Sequence, residues 1–330
     1  MEKELEHFDI SEFADAVPRE HFTDEYENNN YEPAGPKTAL VAIIGRPSSG
    51  KSTFLNTASG EPVSIVSPIP QTTRNAIKGI VNTSFGQLVF VDTPGYHISE
   101  KKLNLKLQQV ARDQLEAGEC VLYVIDATRD IGEEEQMTAE LIKPYASKTV
   151  VAINKIDIAG TKPEHVRKFI RSALPEIPEE RIVNTSAKND IGINDVLKAL
   201  YDLAPEAPHL YPEEYYTDQE VGFRIAEVVR GQAINRLTDE IPHALYVDIS
   251  DMEFKKGGKE LWVRAFLCVE RDSQKGIVIG KGASMIKTIR VESIKELRKI
   301  FDYRIDLDLQ VKVVKNWRQK DPILNKLMNS

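Results

Sequence analysis

Gly45, Gly50, Lys51 and Ser52 stand in the spacing Gly-x-x-x-x-Gly-Lys-Ser, inside the stretch GRPSSGKST at residues 45–53. These residue types in this order suit the holding of a polyphosphate. The glycines remove the Cβ atoms that would keep backbone from phosphate oxygens. The short loop of Arg46, Pro47, Ser48 and Ser49 leads into a helix beginning near Gly50, whose unpaired N–H groups make a positive nest for an anion. Lys51 is expected to reach the β- and γ-phosphates, the Ser52 hydroxyl to ligate Mg²⁺, and Thr53 to continue the cradle.

Four further groups extend the chemistry. Gln71-Thr72-Thr73-Arg74 places a hydroxyl in a loop after the first helix. Thr73, chosen over Thr72, is expected to give its hydroxyl to Mg²⁺ and its N–H to the γ-phosphate, holding the loop only while the third phosphate exists. Asp92-Thr93-Pro94-Gly95 ends an apolar run. There Asp92 should hold Mg²⁺ through water and the Gly95 N–H should touch the γ-phosphate. Asn154-Lys155-Ile156-Asp157 ends another apolar run and chooses the base. The Asp157 carboxylate can accept both the N1–H and the 2-amino hydrogens of guanine; adenine offers neither. Asn154 supports that site, and the Lys155 stem covers the base. Ser186-Ala187-Lys188 supplies the last element, a backbone N–H of Ala187 for guanine O6. The catalytic set is Lys51, Thr73 and Gly95, on GTP or GDP with Mg²⁺.

Positioning these groups needs a particular scaffold. Between Lys37 and Leu203, strand candidates (39–44, 76–82, 87–91, 121–126, 149–153, 181–185) alternate with helix candidates (50–59, 103–118, 133–145, 163–173, 192–203). That order predicts an α/β domain: a mostly parallel sheet with helices on both faces. The 76–82 and 87–91 runs are close enough to form an antiparallel hairpin at an edge. Ligands of such sheets sit beyond the carboxyl ends of the strands, where all the motifs fall. Residues 204–217 (APEAPHLYPEEYYT) read as a linker. Beyond Asp218 the pattern becomes helix (218–237), strands 244–250 and 261–270, a short segment 273–279, the loop Gly280-Lys281-Gly282-Ala283, a long helix to Phe301, strand 304–314 and a tail helix 321–328, in the order α-β-β-α-α-β.

The net charge of −8 hides an asymmetry. Residues 255–330 carry 18 Lys and Arg against 9 Asp and Glu, a net of +9, which leaves −17 for the remainder. A basic tail behind an acidic front points to nucleic acid or an anionic membrane as partner. Residues 1–36 hold eleven Asp or Glu against Lys3 and Arg19 and read as a disordered acidic extension. No apolar run has the length of a membrane span, and the acidic N-terminus has no apolar signal core. Cys120 and Cys268 sit apart in apolar runs and are expected to pack as small hydrophobes in a reducing cytoplasm.

The set GRPSSGKST, QTTR, DTPGY, NKID and SAK resembles the P-loop GTPases, and Thr-Thr-Arg with Asp-Thr-Pro-Gly narrows the resemblance to the Era family. YPEEYYTDQ, VERDSQKGIVIGKGASMIKTIR and LQVKVVKNW are similar to the KH domain that this family carries behind its GTPase domain. The resemblance covers about residues 37–320. It implies a type II KH fold at 218–330, binding of 16S ribosomal RNA near its 3′ end, and a role for a monomeric protein in 30S subunit assembly, with room for peripheral contact at the inner membrane surface. KH domains clamp single strands with a Gly-x-x-Gly loop. Here that loop is Gly280, Lys281, Gly282 and Ala283, with Lys287 and Arg290 adding charge. An RNA groove and a KH-like scaffold for protein contacts both fit these residues. A GTP-dependent scaffold at membrane or cell-cycle machinery is the other reading of the whole chain.

Two residues depart from the family pattern. Ala283 replaces the last glycine; it is costly if that residue takes positive φ, and neutral if it already begins the helix. Ser48 replaces the asparagine that the resemblance associates with a monovalent cation, and its shorter reach argues against K⁺ stimulation. Tyr96 follows Gly95 where Ras-like proteins orient water with glutamine, so slow hydrolysis is expected.

Overall fold

The β-branched run Lys37–Ile44 forms β1, whose two faces feed two separate cores. Val41 and Ile43 pack with Phe54 and Leu55 of α1 (Lys51–Ser59) and Leu197 and Leu200 of α5 (Ile193–Leu203). Ala42 and Ile44 pack with Ala111 and Leu115 of α2 (Lys102–Ala117), Ile142 of α3 (Glu133–Ile142) and Ile170 of α4 (Pro163–Ala173). A strand buried on both faces, with helices on each, is what a near-continuous apolar run produces. The computed structural model describes residues 35–67, 69, 73–95 and 102–328. The acidic extension through residue 34, Gln71, Thr72 and Tyr96 lie outside the described residues.

The first sheet has the order β2-β3-β1-β4-β5-β6, with β2 (Ile77–Thr83), β3 (Gly86–Asp92), β4 (Cys120–Asp126), β5 (Thr149–Asn154) and β6 (Ile182–Asn184). Only β2 runs antiparallel, in a hairpin with β3. β1 pairs in parallel with β3 on one side and β4 on the other, so the order reverses at β1, and the loop after it opens into the crevice between neighbours. Register aligns the motif-bearing ends: Ile43 opposite Asp92, Asp126 opposite Asn154, Ile153 opposite Asn184. The helix expected over 133–145 stops at Ile142. A tighter turn, Lys143–Lys148, takes over with Pro144 at its start, because proline cannot donate the next helical hydrogen bond. Residues 204–217 do not hang free. Tyr216 and Glu213 carbonyls accept from Ile80 N–H and the Asn82 amide, which covers the open edge of β2.

A second, three-stranded sheet, β7-β8-β9, is built from β7 (Tyr246–Lys255), β8 (Glu260–Val269) and β9 (Arg304–Val313), with β8 and β9 parallel. Alternation along β8 sends Leu261, Val263, Ala265 and Leu267 inward onto α6 (Val221–Ile234) and α9 (Ser284–Ile300). α7 (Ile241–Ala244), a single turn with Pro242 at its start, lies ahead of β7, which begins at Tyr246 rather than 244 and pairs on to Lys255. α8 is Asp272–Ile279, and α10 (Asp321–Met328) closes the chain. On the sheet's other face Trp317 and Leu324 pack on Tyr246 and Cys268. Both cysteines are buried and neither forms a disulfide among the described residues. Among the described residues no helix is long and apolar enough to cross a membrane.

Candidate functional site

A cleft of about 390 Å³ is lined by Pro47, Ser48, Gly50, Lys51, Ser52, Thr53, Ile65, Val66, Ser67, Ile69, Thr73, Gly95, Arg129 and Lys155. It lies over the carboxyl ends of β1 and β3. Gly50 takes φ +101°, and a Cβ there would stand 2.2 Å from the Asn154 amide nitrogen, so the loop closes only around glycine. Asn154 fixes this contact by donating to the Ser49 carbonyl at 2.9 Å. Lys51 is buried and donates to the Gly45 and Arg46 carbonyls at 3.1 and 3.0 Å, holding its ammonium inside the loop. Burial lowers its pKa to about 8, with Asp92 and Glu135 pulling the other way.

Ser52, Thr73 and Asp92 converge. Ser52 Oγ lies 2.6 Å from Asp92 Oδ2 and 3.2 Å from Thr73 Oγ1; Thr73 Oγ1 lies 3.2 Å from the same carboxylate oxygen. Ser64, which the sequence reading missed, adds a third hydroxyl at 2.8 Å. Asp92 is fully buried, and its Oδ1 finds no hydrogen-bond partner among the described residues. Burial pushes its carboxyl above the ordinary range, against Lys51 and the three hydroxyls. A buried anion with an orphaned oxygen, ringed by hydroxyls, fits a small hard cation such as Mg²⁺. Thr93 turns away and donates to the Ile43 carbonyl at 2.6 Å, pinning the strand end.

At the other end, Ser186 Oγ donates to Asp157 Oδ1 at 2.6 Å, which orients the carboxylate. The Ala187 N–H donates to Asn154 Oδ1 at 2.9 Å, so this expected base contact is engaged within the protein. Lys188 is exposed beside it. Lys155, at φ +68°, reaches back to the Ser48 carbonyl and to Asp126 Oδ2, both at 2.7 Å.

Asp126 and Arg129 are the residues that motif reading passed over. Asp126 ends β4 and Arg129 follows it; the strand carries no recognised pattern, and only the paired ends of β4 and β5 bring the two residues to the cleft. Burial opposes charge on Asp126, but hydrogen bonds from Lys155 and Thr128 outweigh it and hold the carboxyl below its ordinary range. Arg46 is likewise fixed from outside the loop: it pairs with Glu134 at 3.1 Å and with Glu135 at 3.5 Å. The buried Glu135 in turn accepts from Tyr123.

The loop Gly280–Ala283 joins α8 to α9 at the surface of the second unit. Gly280 has φ +74° and Gly282 φ +61°. Ala283 caps α9 at φ +61°, ψ 25°, in the left-handed region, so the alternative in which it already begins the helix is overturned. Replacing Ala283 with glycine should therefore raise stability by about 1 kcal/mol, since a Cβ there opposes its own backbone. Thermal or urea unfolding measures it; no gain would mean the loop relaxes at no cost. Lys281 and Lys287 are exposed. Arg290 does not project freely: it donates to the Leu307 carbonyl on β9 and lies 3.4 Å from Asp306.

The two units meet at Arg74, immediately after Thr73. Its guanidinium, buried on the second unit, donates to the Leu245 carbonyl at 2.7 Å and the His243 carbonyl at 3.2 Å, and lies over the Trp317 ring at 5.5 Å. Lys106 of α2 reaches Asn325 of α10 at 2.6 Å.

A phosphate loop at a strand-order reversal, a hydroxyl–carboxylate cluster beside it and an oriented aspartate at the base end define a P-loop GTPase domain, here followed by a KH unit. Residues 40–155 match the family described as 50S ribosome-binding GTPase, and residues 240–318 match the KH domain. GTPase Era of Treponema denticola is 61% identical over 290 residues, covering 88% of this chain and 99% of that protein. A crystal structure of an Aquifex aeolicus Era variant bound to GDP and aluminium fluoride matches with a TM-score of 0.83 at 32% identity, covering 88% of this chain and 98% of that one. So does Era in complex with MgGDPNP and nucleotides 1506–1542 of 16S ribosomal RNA, at 0.83 and 32%, covering 89% and 98%. The chain belongs to the Era family of GTPases.

Proposed function

We propose that this chain is a slowly GTP-hydrolysing switch whose KH domain, residues 218–330, binds 16S ribosomal RNA near its 3′ end during 30S subunit assembly. The GTPase domain is residues 37–203, joined by the linker 204–217. The observation that carries the reading is the adjacency of Thr73 and Arg74. One residue belongs to the hydroxyl–carboxylate cluster and the next grips the KH unit, so a change at the γ-phosphate has a short covalent route to the RNA-binding domain. The solved relative holding both MgGDPNP and 16S nucleotides supports the same pairing of ligands.

Ser52 and Thr73, with Asp92 through water, would hold Mg²⁺, which would supply charge neutralisation for the phosphates when bound. Lys51 adds charge from the loop, and Gly95 offers its N–H to the γ-phosphate. Asp157, held by Ser186, selects guanine. Ser48 sits at φ +63°, with a shorter side chain than the asparagine that the family resemblance associates with a monovalent cation. Lys281, Lys287 and the Gly280–Ala283 backbone meet the RNA phosphates, while Arg290 braces β9 beside them. No described feature favours a lipid-bound scaffold.

The test is a titration of single-stranded RNA from the 3′ end of the small-subunit ribosomal RNA, with GDP and then a non-hydrolysable GTP analogue, at two salt concentrations. Binding should tighten about tenfold with the analogue, and an unrelated RNA should bind far more weakly. Equal, weak binding of both RNAs that collapses with salt would reduce the claim to charge attraction and overturn it.

A further inference from the structure

We infer that Arg129 is an intrinsic catalytic cation, held in reserve on the phosphate loop and delivered to the γ-phosphate during hydrolysis. Arg129 lines the nucleotide cleft together with Lys51, Thr73 and Gly95. Its guanidinium donates to the Pro47 carbonyl at 3.2 Å, and its Nε stands 3.4 Å from Asp126 Oδ2. The same carboxylate oxygen holds Lys155 at 2.7 Å, and Lys155 in turn sits on the next loop carbonyl, that of Ser48. Asp126, nearly inaccessible to water, thus presents two cations to two consecutive carbonyls of one anion-binding loop.

The two cations face different parts of the nucleotide. Lys155 belongs to the base-end motif. Pro47 packs on Gly95: a Cβ on that glycine would lie 2.7 Å from the Pro47 Cα and nitrogen. Gly95 is the residue expected to meet the γ-phosphate, so Pro47, and Arg129 on its carbonyl, stand at the γ end. Arg129 keeps one side open to solvent even while paired with Asp126. Its side chain is 39% exposed, and a carbonyl is a weaker acceptor for guanidinium than a phosphate oxygen.

In the reaction the water oxygen forms a bond to the γ-phosphorus. The bond from that phosphorus to the bridging oxygen breaks, its electron pair leaves with GDP, and the water proton goes to the departing phosphate. Arg129 keeps its protons throughout. Its part is to meet the charge that grows on the γ and bridging oxygens, a role of arginine in phosphoryl transfer worth up to several orders of magnitude.

The inference rests on the GTP-hydrolysing reading above, so the unaltered protein must first turn over GTP; failure there sinks that reading and not only this one. Arg129→Ala and Arg129→Lys are then compared in single-turnover hydrolysis, GDP affinity, and formation of the GDP–aluminium fluoride complex, which imitates the planar transferring group. For Arg129→Ala the rate should fall about 100-fold, at the modest end for such arginines, with GDP affinity within about threefold and the aluminium fluoride complex lost. Arg129→Lys, which keeps the charge without the fork, should fall between. A rate within twofold of the unaltered protein would overturn the inference. So would a parallel loss of rate and GDP affinity, which would make Arg129 only a brace for the loop.

Discussion

Replacing Asp157 with asparagine should weaken GDP binding about 10³- to 10⁴-fold and hand the site to xanthine nucleotides. The carboxylate is already oriented, with Ser186 Oγ at 2.6 Å, and asparagine has nearly the same shape, so the fold around it should survive. What changes is polarity. The asparagine oxygen keeps the serine, which turns the amide nitrogen, a donor, toward the 2-position of the base. Guanine presents donors there, and two facing donors leave both without an acceptor. Xanthine presents an oxygen and restores the pairing. Titration with fluorescent GDP and XDP reads both arms. Retention of GDP within tenfold would remove Asp157 from the base site.

Lys51 carries the second large effect. Lys51→Ala should lower single-turnover hydrolysis at saturating GTP by about 10³-fold or more, since no other buried ammonium lies in the loop. A second signature separates its charge from its bulk. In the nucleotide-free protein burial lowers the Lys51 pKa to about 8. Phosphate must restore the charge, so binding takes up a proton wherever the free protein has lost it. GDP affinity should hold steady below about pH 8 and fall by up to tenfold per unit above it. Calorimetry in buffers of different ionisation enthalpy detects that proton. Between about pH 7 and 9 the Lys51→Ala variant should lose the dependence; a variant that kept it would assign the titration elsewhere.

The parts that were legible in the sequence are those with short-range signatures. Strand–loop–helix around Gly45–Ser52 follows from an apolar run, two glycines and a helix start. The α-β-β-α-α-β order follows from a change of hydrophobic period. Long side chains that act across the fold leave no such trace. Glu135 sits in an acidic triplet, Glu133-Glu134-Glu135, that reads as a solvated helix start, yet it is buried beneath Arg46 because α3 packs that turn against the phosphate loop. Arg129 lies three residues past a strand without a motif, and register with β5 alone brings its strand end to the cleft. Arg290 carries the charge of an RNA contact, but whether it faces a phosphate or a β9 carbonyl depends on a strand 17 residues away. Ala283 could have been either strained or neutral, and only its φ decides.

The Arg74 contact gives the hinge between the domains a mechanical character. A guanidinium held by carbonyls and a ring is well placed only as long as that nest stays intact. Drawing the KH domain away by a small distance would leave the cation with neither water nor partners, which is worse than either full contact or full exposure. Such a joint resists creeping and favours letting go at once. It is a latch rather than a spring, and the catch lies one peptide bond from Thr73.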